Sequence, residues 1–190
     1  MNIITHMLIG WTLAEHTTKS PRDRVLITAA SVIPDLDGLG LIVDVAAPYM
    51  GWTVQWYERF HHVLLHGLPG ALLVAALLAC FAREKGRAAM LIFISFHLHL
   101  LGDLVGSRGS GVTDIWPIHY LQPLSDHLTL AWSGQWPLSG WQNFVVTVVL
   151  MLHVFALAVR RGYSPVGLFS RRADSVFVET LRKRWPGGQR

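Results

Sequence analysis

The sequence predicts an all-α, membrane-embedded helical bundle, and three observations carry that reading. Of its 190 residues, 52% are apolar and only 15% are charged, against ~25% charged in an average soluble domain. Asp, Glu, Lys and Arg are missing from residues 60–82, 88–102 and 127–159, runs of 23, 15 and 33 residues. These runs are too long for strands and are not punctuated like strands. The same composition excludes a disordered chain, a collagen-like fibre and a disulfide-stapled scaffold, since Cys80 is the one cysteine.

Taken in order, residues 1–14 and 25–33 read as short helices with Lys19, Arg22 and Arg24 between them or at the edge. Neither is long enough to span alone. A spanning helix needs ~20 mostly apolar residues, and 60–82 meets this with Pro69 and Gly70 inside it, which membrane helices tolerate. Residues 88–102 reach that length only if the polar end at 97–103 is counted. In the third run the continuously apolar part is 144–159. Residues 103–142, with many Gly, Pro, Ser and Trp, read as a long structured excursion between helices. Buried helices of a soluble bundle are the competing reading. The first residues lack a basic start and a cleavage site, so no signal peptide is expected.

Charge placement favours the membrane. The basic link 82–87 joins the first two runs and Arg160-Arg161 follows the third, so alternating helices put these ends on one, cytoplasmic, side. The other ends carry Trp52, Trp56, Trp132, Trp136 and Trp141, as an aromatic interface belt would. A multi-pass protein of the cell membrane is expected, with residues 1–160 as the embedded domain and 161–190 as a basic cytoplasmic tail. Residues 160–190 carry a net +6 while the rest carry −2. Within the tail, 175–185 reads as an amphipathic helix with Val178, Leu181 and Trp185 on one side, suited to a lipid surface more than to nucleic acid.

The ionisable groups in or beside the apolar runs are mostly His and Asp: His6, Asp35, Asp37, His61, His62, His66, His97, His99 and Asp103. Such groups at bilayer depth line a cavity or find a partner. A divalent metal suits most of them at once, and imidazole with carboxylate favours zinc or a similar transition metal. His99 and Asp103, four apart, share a helix face; His97 is turned ~200° from His99 and should not share its metal. His61 and His66 can converge only if His61 precedes the first helical turn, whereas His62 and His66 share a face if the helix has begun. Taken alone, Ile33-Pro34-Asp35-Leu36-Asp37-Gly38 reads as a turn. His16, His119, His127 and His153 read as structural or surface residues, His153 lying in an apolar run without a sequence-local partner.

Together, Thr5-His6, IPDLDG, HHVLLHG, HLLGD and Trp116-Pro117 resemble the membrane-bound, metal-dependent hydrolase family of inner-membrane proteins, over roughly residues 1–125. That family is in turn distantly similar to zinc-dependent phospholipase C and the zinc-dependent single-strand nucleases, which implies an all-helical fold of the phospholipase C kind. The resemblance implies His6, Asp35, His61, His66, His99 and Asp103 as ligands of one to three divalent ions, most readily zinc. It leaves Asp37 as a further ligand or as the catalytic general base. The family commonly has His-Arg at His61-His62 and Trp-Pro-Phe-Ser at Trp116-Pro117-Ile118-His119. The first departure leaves His62 either a charge-bearing group or a ligand, and the second takes His119 out of the pattern.

Three functions follow as expectations. The first is a hydrolase that activates water at neutral pH with bound metal, acting on a phosphoester or lipid-like ester at the Trp-rich membrane edge, with Asp37 or Asp35 handling the water. The second is a non-enzymatic metal protein of the membrane that works through partner binding, with its basic tail as the candidate contact. The third is translocation of metal or protons, which needs polar residues through the whole membrane depth; here most cluster at one end. Membrane lipid and a small-molecule or lipid-like substrate are the expected partners, and nucleic acid is disfavoured.

Overall fold

The long helix Lys85–Gly106 (α6) packs against three shorter helices, Ile3–Thr17, Pro21–Ala30 and Leu68–Cys80. The computed structural model describes residues 1–61, 63 and 65–185, so the alternatives for His62 lie outside the described residues. In chain order come α1 (Ile3–Thr17), α2 (Pro21–Ala30), a 3-10 helix (Ile33–Leu39), α3 (Gly40–Ala46), a 3-10 turn (Ala47–Met50), α4 (Trp56–Phe60) and α5 (Leu68–Cys80). After α6 follow β1 (Ile118–His119), β2 (Thr129–Leu130), α7 (Trp141–Arg161), a 3-10 turn (Pro165–Leu168) and α8 (Arg171–Arg184).

Local chemistry sets the helix ends. Asn2 and Ser20 cap α1 and α2 by accepting the N–H groups of Thr5 and Asp23, and Pro21 opens α2, where its missing N–H costs nothing. Asp23 reaches across to accept the N–H groups of Arg83 (2.8 Å) and Glu84 (3.3 Å), holding the α5–α6 link onto α2. α7 stops at Gly162, whose φ of 82° is the left-handed geometry that closes a helix.

Packing against α6 uses small residues. Ala14, Ala30, Ala71, Ala75 and Ala88 are buried beside Ile27, Leu91, Ile92 and Phe96. Close approach of this kind drives helix association where lipid tails are as apolar as the core itself. The outward faces are correspondingly apolar: Leu72, Leu73 and Leu77 on α5, Met90 and Leu101 on α6, and Phe144, Val149 and Leu152 on α7 are all exposed.

Among the described residues, α6 and α7 are long and apolar enough to cross a membrane. The bent pair Pro21–Ala30 and Ile33–Met50, broken by 49°, meets the same test if taken as one span. The run 60–82 does not form the single spanning helix its composition predicts. Its helix starts only at Leu68, because the chain at His61 and His66 leaves helical geometry to bring both imidazoles onto Asp37. The 13 residues of α5 rise ~20 Å, short of a ~30 Å hydrocarbon core. The chain is mostly helical, as expected, but the excursion after α6 adds a short antiparallel ribbon in which Ile118 pairs with Leu130 and His119 with Thr129.

α8 begins at Arg171, four residues earlier than the amphipathic pattern suggests. Val178 and Leu181 pack on Ala158 and Val159 of α7, whereas Trp185 is exposed. The 3-10 turn before it is tied down by Asp174, which accepts the Ser164 N–H (2.9 Å) and hydroxyl (2.6 Å).

Candidate metal centre

The predicted turn at Ile33–Leu39 is a 3-10 helix that carries Asp35 and Asp37 to the polar end of α6. There Asp35, His66, His99 and Asp103 each present one donor atom, and the four atoms lie within 4.8 Å of one another. The i, i+4 spacing of His99 and Asp103 acts as expected: His99 Nε2 is 2.9 Å from Asp103 Oδ2. His66 enters from the segment before α5, with its Nε2 3.2 Å from His99 Nε2 and 3.6 Å from Asp103 Oδ2. Asp35 Oδ1 stands 3.8 Å from His99 Nε2 and is the most open member, at 21% side-chain exposure, while the other three are buried.

Each imidazole is oriented from behind. His99 Nδ1–H donates to the Ser31 carbonyl (3.0 Å), and His66 Nδ1–H donates to Asp37 Oδ2 (2.8 Å). Both Nε2 atoms are thereby turned to the same point, the arrangement in which a carboxylate or carbonyl fixes the tautomer of a metal-binding histidine. Asp37 spends its other oxygen on His61 Nδ1 (2.8 Å), so it bridges two histidines. Asp103 is similarly divided. Oδ1 receives the Ser107 hydroxyl (2.7 Å), lies 3.1 Å from His6 Nε2 and touches the Met1 amino group, while Oδ2, aimed at His66 and His99, accepts no hydrogen bond.

Of the residues proposed from sequence as ligands, Asp35, His66, His99 and Asp103 share the point of convergence. His6 and His61 stand one contact away, His6 on Asp103 and His61 on Asp37. His6 is nonetheless buried and stacked on His99, ring centroids 3.9 Å apart. Gly102 makes that possible, since a Cβ there would lie 3.0 Å from His6 Cε1. His97 points elsewhere, onto the Phe93 carbonyl and the Tyr120 hydroxyl. His119 lies in the ribbon beside Thr129, and the partner of His153 is His16, Nε2 to Nε2 at 3.3 Å.

Sequence reasoning missed the supports. Gln135, 1% exposed, donates to the Asp103 carbonyl (2.9 Å) and accepts the Trp116 N–H (2.9 Å), holding the excursion against the end of α6. Asn143 does the same for α7, donating to the Gly106 carbonyl (2.8 Å) and accepting from Trp136 Nε1 (2.9 Å). Both act on backbone groups, which leave no motif; a lone polar residue inside an otherwise apolar setting is the only trace.

A buried Asp-His-His-Asp group of this kind can bind a metal ion. Two observations fit that use. Among the described residues, buried Asp35 Oδ2, Asp103 Oδ2 and His6 Nδ1 have no hydrogen-bond partner, and each such atom costs ~1–3 kcal/mol. The paired imidazole and carboxylate donors match the preference of zinc-type ions. His66 reports the same demand for positive charge. Burial pushes its pKa down, yet the carboxylates of Asp103 and Asp37 facing it outweigh that and raise it to about 9.

A family model described as YdjM inner membrane protein matches residues 1–172. No curated protein and no solved structure matches the chain.

Proposed function

Since the chain belongs to the YdjM inner membrane protein family, we propose that it is a multi-pass membrane protein whose His/Asp centre holds a divalent ion, most readily zinc, and hydrolyses a phosphoester or lipid-like ester. The observation that carries this reading is the convergence of two Nε2 atoms and two carboxylates, backed by their own hydrogen-bond partners, with one half-open member. A closed site serves structure, whereas a catalytic site keeps an accessible position, and Asp35 marks that position here.

When bound, a zinc-type ion supplies Lewis acidity at neutral pH. The chain's own residues do the rest. His66, His99 and Asp103 would hold the ion, with Asp35 lining the remaining, more accessible position. Asp37, both oxygens engaged, is a positioning residue that fixes His66 and His61 and not a free base. Asp35 is then the carboxylate placed to take a proton from an attacking water. Residues 1–160 form the embedded catalytic domain and 161–190 the cytoplasmic tail, with the centre facing away from the cytoplasm by the positive-inside rule.

A phospholipase C-like fold is consistent with the helical centre. A non-catalytic metal protein acting through partners is favoured by the full burial of His66 and His99, and the two readings separate experimentally. Purified protein loaded with zinc is offered a phosphodiester and a glycerophospholipid panel. Turnover in the wild type that disappears in Asp103→Asn supports the hydrolase; a stable metal-loaded protein with no turnover on the panel supports the non-catalytic reading.

A further inference from the structure

At the opposite end of the bundle lies a cleft of about 520 Å³, bounded by the end of α1, the start of α2, the start of α6 and the end of α7. Lys19, Arg24, Arg87 and Arg161 line it, against Glu15 and Glu84. It is separate from the His/Asp centre: His99 and Asp103 lie ~18–24 Å along α6 from Arg87, at 1.5 Å per residue.

The floor of the cleft is a buried ion-pair network. Glu15 is fully buried at its side chain; its Oε1 meets Arg161 Nη1 and the Tyr163 hydroxyl, and its Oε2 is 3.1 Å from Arg24 Nε. Arg24 also donates to the Tyr163 hydroxyl (2.9 Å) and lies 4.1 Å over the Tyr163 ring. Arg161 further donates to the Glu15 carbonyl (3.0 Å), and Arg87 to the Thr17 carbonyl (2.5 Å). The second carboxylate, Glu84, neutralises little. It stands 3.5 Å from Arg87 Nη1 with both side chains more than half exposed, where solvent screens the pair. The lining therefore stays positive, at a net +2 even with Glu84 counted in full, and its Arg24 and Arg161 guanidinium groups are held by the buried carboxylate below them.

Depth identifies the ligand chemistry. α6 begins at Lys85 and α7 ends at Arg161, so the cleft opens where both candidate spans reach the membrane edge. Lipid phosphates lie at that level, and basic pockets between membrane helices take anionic headgroups. Arginine forks suit phosphoryl oxygens geometrically as well as by charge.

We propose that this cleft is a binding site for an anionic phosphoryl group, with Lys19, Arg87 and the outer edge of Arg161 as its donors on a scaffold set by Glu15, Arg24 and Tyr163. The group is that of an anionic phospholipid headgroup or of free phosphate. The proposal is independent of any metal at the His/Asp centre.

The test uses the full chain in maltoside micelles with three probes: phosphatidylglycerol, phosphatidylcholine and inorganic phosphate. Lipid retention is read by native mass spectrometry, and phosphate binding by the shift in thermal unfolding. Two variants remove equal charge at the same end: Lys19→Gln with Arg87→Gln inside the cleft, and Arg83→Gln with Lys85→Gln outside it. Lys19→Gln alone serves if the double cleft variant folds poorly by circular dichroism. Saturable retention of phosphatidylglycerol over phosphatidylcholine, weakened about tenfold or more by the cleft pair and unchanged by the outer pair, is the expected result for a headgroup. A phosphate-induced rise in unfolding temperature with the same variant pattern assigns the site to free phosphate. Equal weakening by both pairs, or no binding of either anionic probe, overturns the proposal.

Discussion

His66 Nε2 and His99 Nε2 face each other at 3.2 Å while both Nδ1 atoms are committed elsewhere, to Asp37 and to the Ser31 carbonyl. Two imidazole lone pairs cannot rest against each other without a positive charge between them. In the metal-free protein a proton fills that role; a divalent ion would fill it better, because among the described residues Asp103 Oδ2 and Asp35 Oδ2 are also without hydrogen bonds.

That competition makes metal binding depend on pH. The His66 pKa rises from 6.5 to about 9 in the metal-free protein, so the imidazolium persists up to that pH and must lose its proton when metal binds. Metal affinity should increase about tenfold per pH unit between pH 7 and 9 and flatten above, with close to one proton released per ion from this residue. The stabilisation that the proton lends the metal-free fold runs the other way, complete below pH 6.5 and lost as the pH rises through about 9. Isothermal titration in buffers of differing ionisation heat checks both; an affinity that falls with rising pH contradicts them.

Asp37→Asn keeps the shape of the side chain but removes the charge that holds two histidines. Metal affinity should drop ~10–100-fold, the usual loss when an orienting partner of a ligand is removed. Circular dichroism should be little changed, and competition against a chromogenic chelator measures the affinity.

Gly102→Ala sets two effects against each other. Alanine favours a helix over glycine by about 1 kcal/mol, but its Cβ would lie 3.0 Å from His6 Cε1. Thermal stability should change by only a few degrees while metal affinity falls, since His6 can no longer stack on His99 and support Asp103. An unchanged affinity would show that the position of His6 is immaterial to the centre.

Gln135→Ala removes a buried amide that donates to the Asp103 carbonyl and receives the Trp116 N–H. Losing the bonds to the Trp116 N–H and the Asp103 carbonyl should cost about 1–3 kcal/mol, read as a lower unfolding temperature in detergent. A stability equal to wild type would deny Gln135 its place as the tie between the excursion and α6.

How much of this was legible in the sequence depends on whether a contact is local. His99 and Asp103 are one helical turn apart, so their shared face follows from the spacing, and the same geometry correctly excluded His97. His61 and His66 were the opposite case: they meet at Asp37 only because the chain between α4 and α5 is not helical, and that also shortens the first apolar run below spanning length. Hydropathy counts residues but does not register where the helix must break to deliver a side chain. The Ser31 carbonyl, Gln135 and Asn143 were beyond reach for another reason, since they work through backbone groups far away in sequence. The basic link and Arg160-Arg161 were visible as charge, but not the buried Glu15 that organises Arg24 and Arg161 above it.

Metal content decides whether the His/Asp centre is a metal site. Wild-type protein purified in mild detergent without chelators, beside Asp103→Asn, is analysed by inductively coupled plasma mass spectrometry. The prediction is about one or more zinc-type ions per chain in the wild type, lost in Asp103→Asn with the helical signature retained. A well-folded wild type without bound metal, and with none taken up on dialysis against zinc, would contradict it.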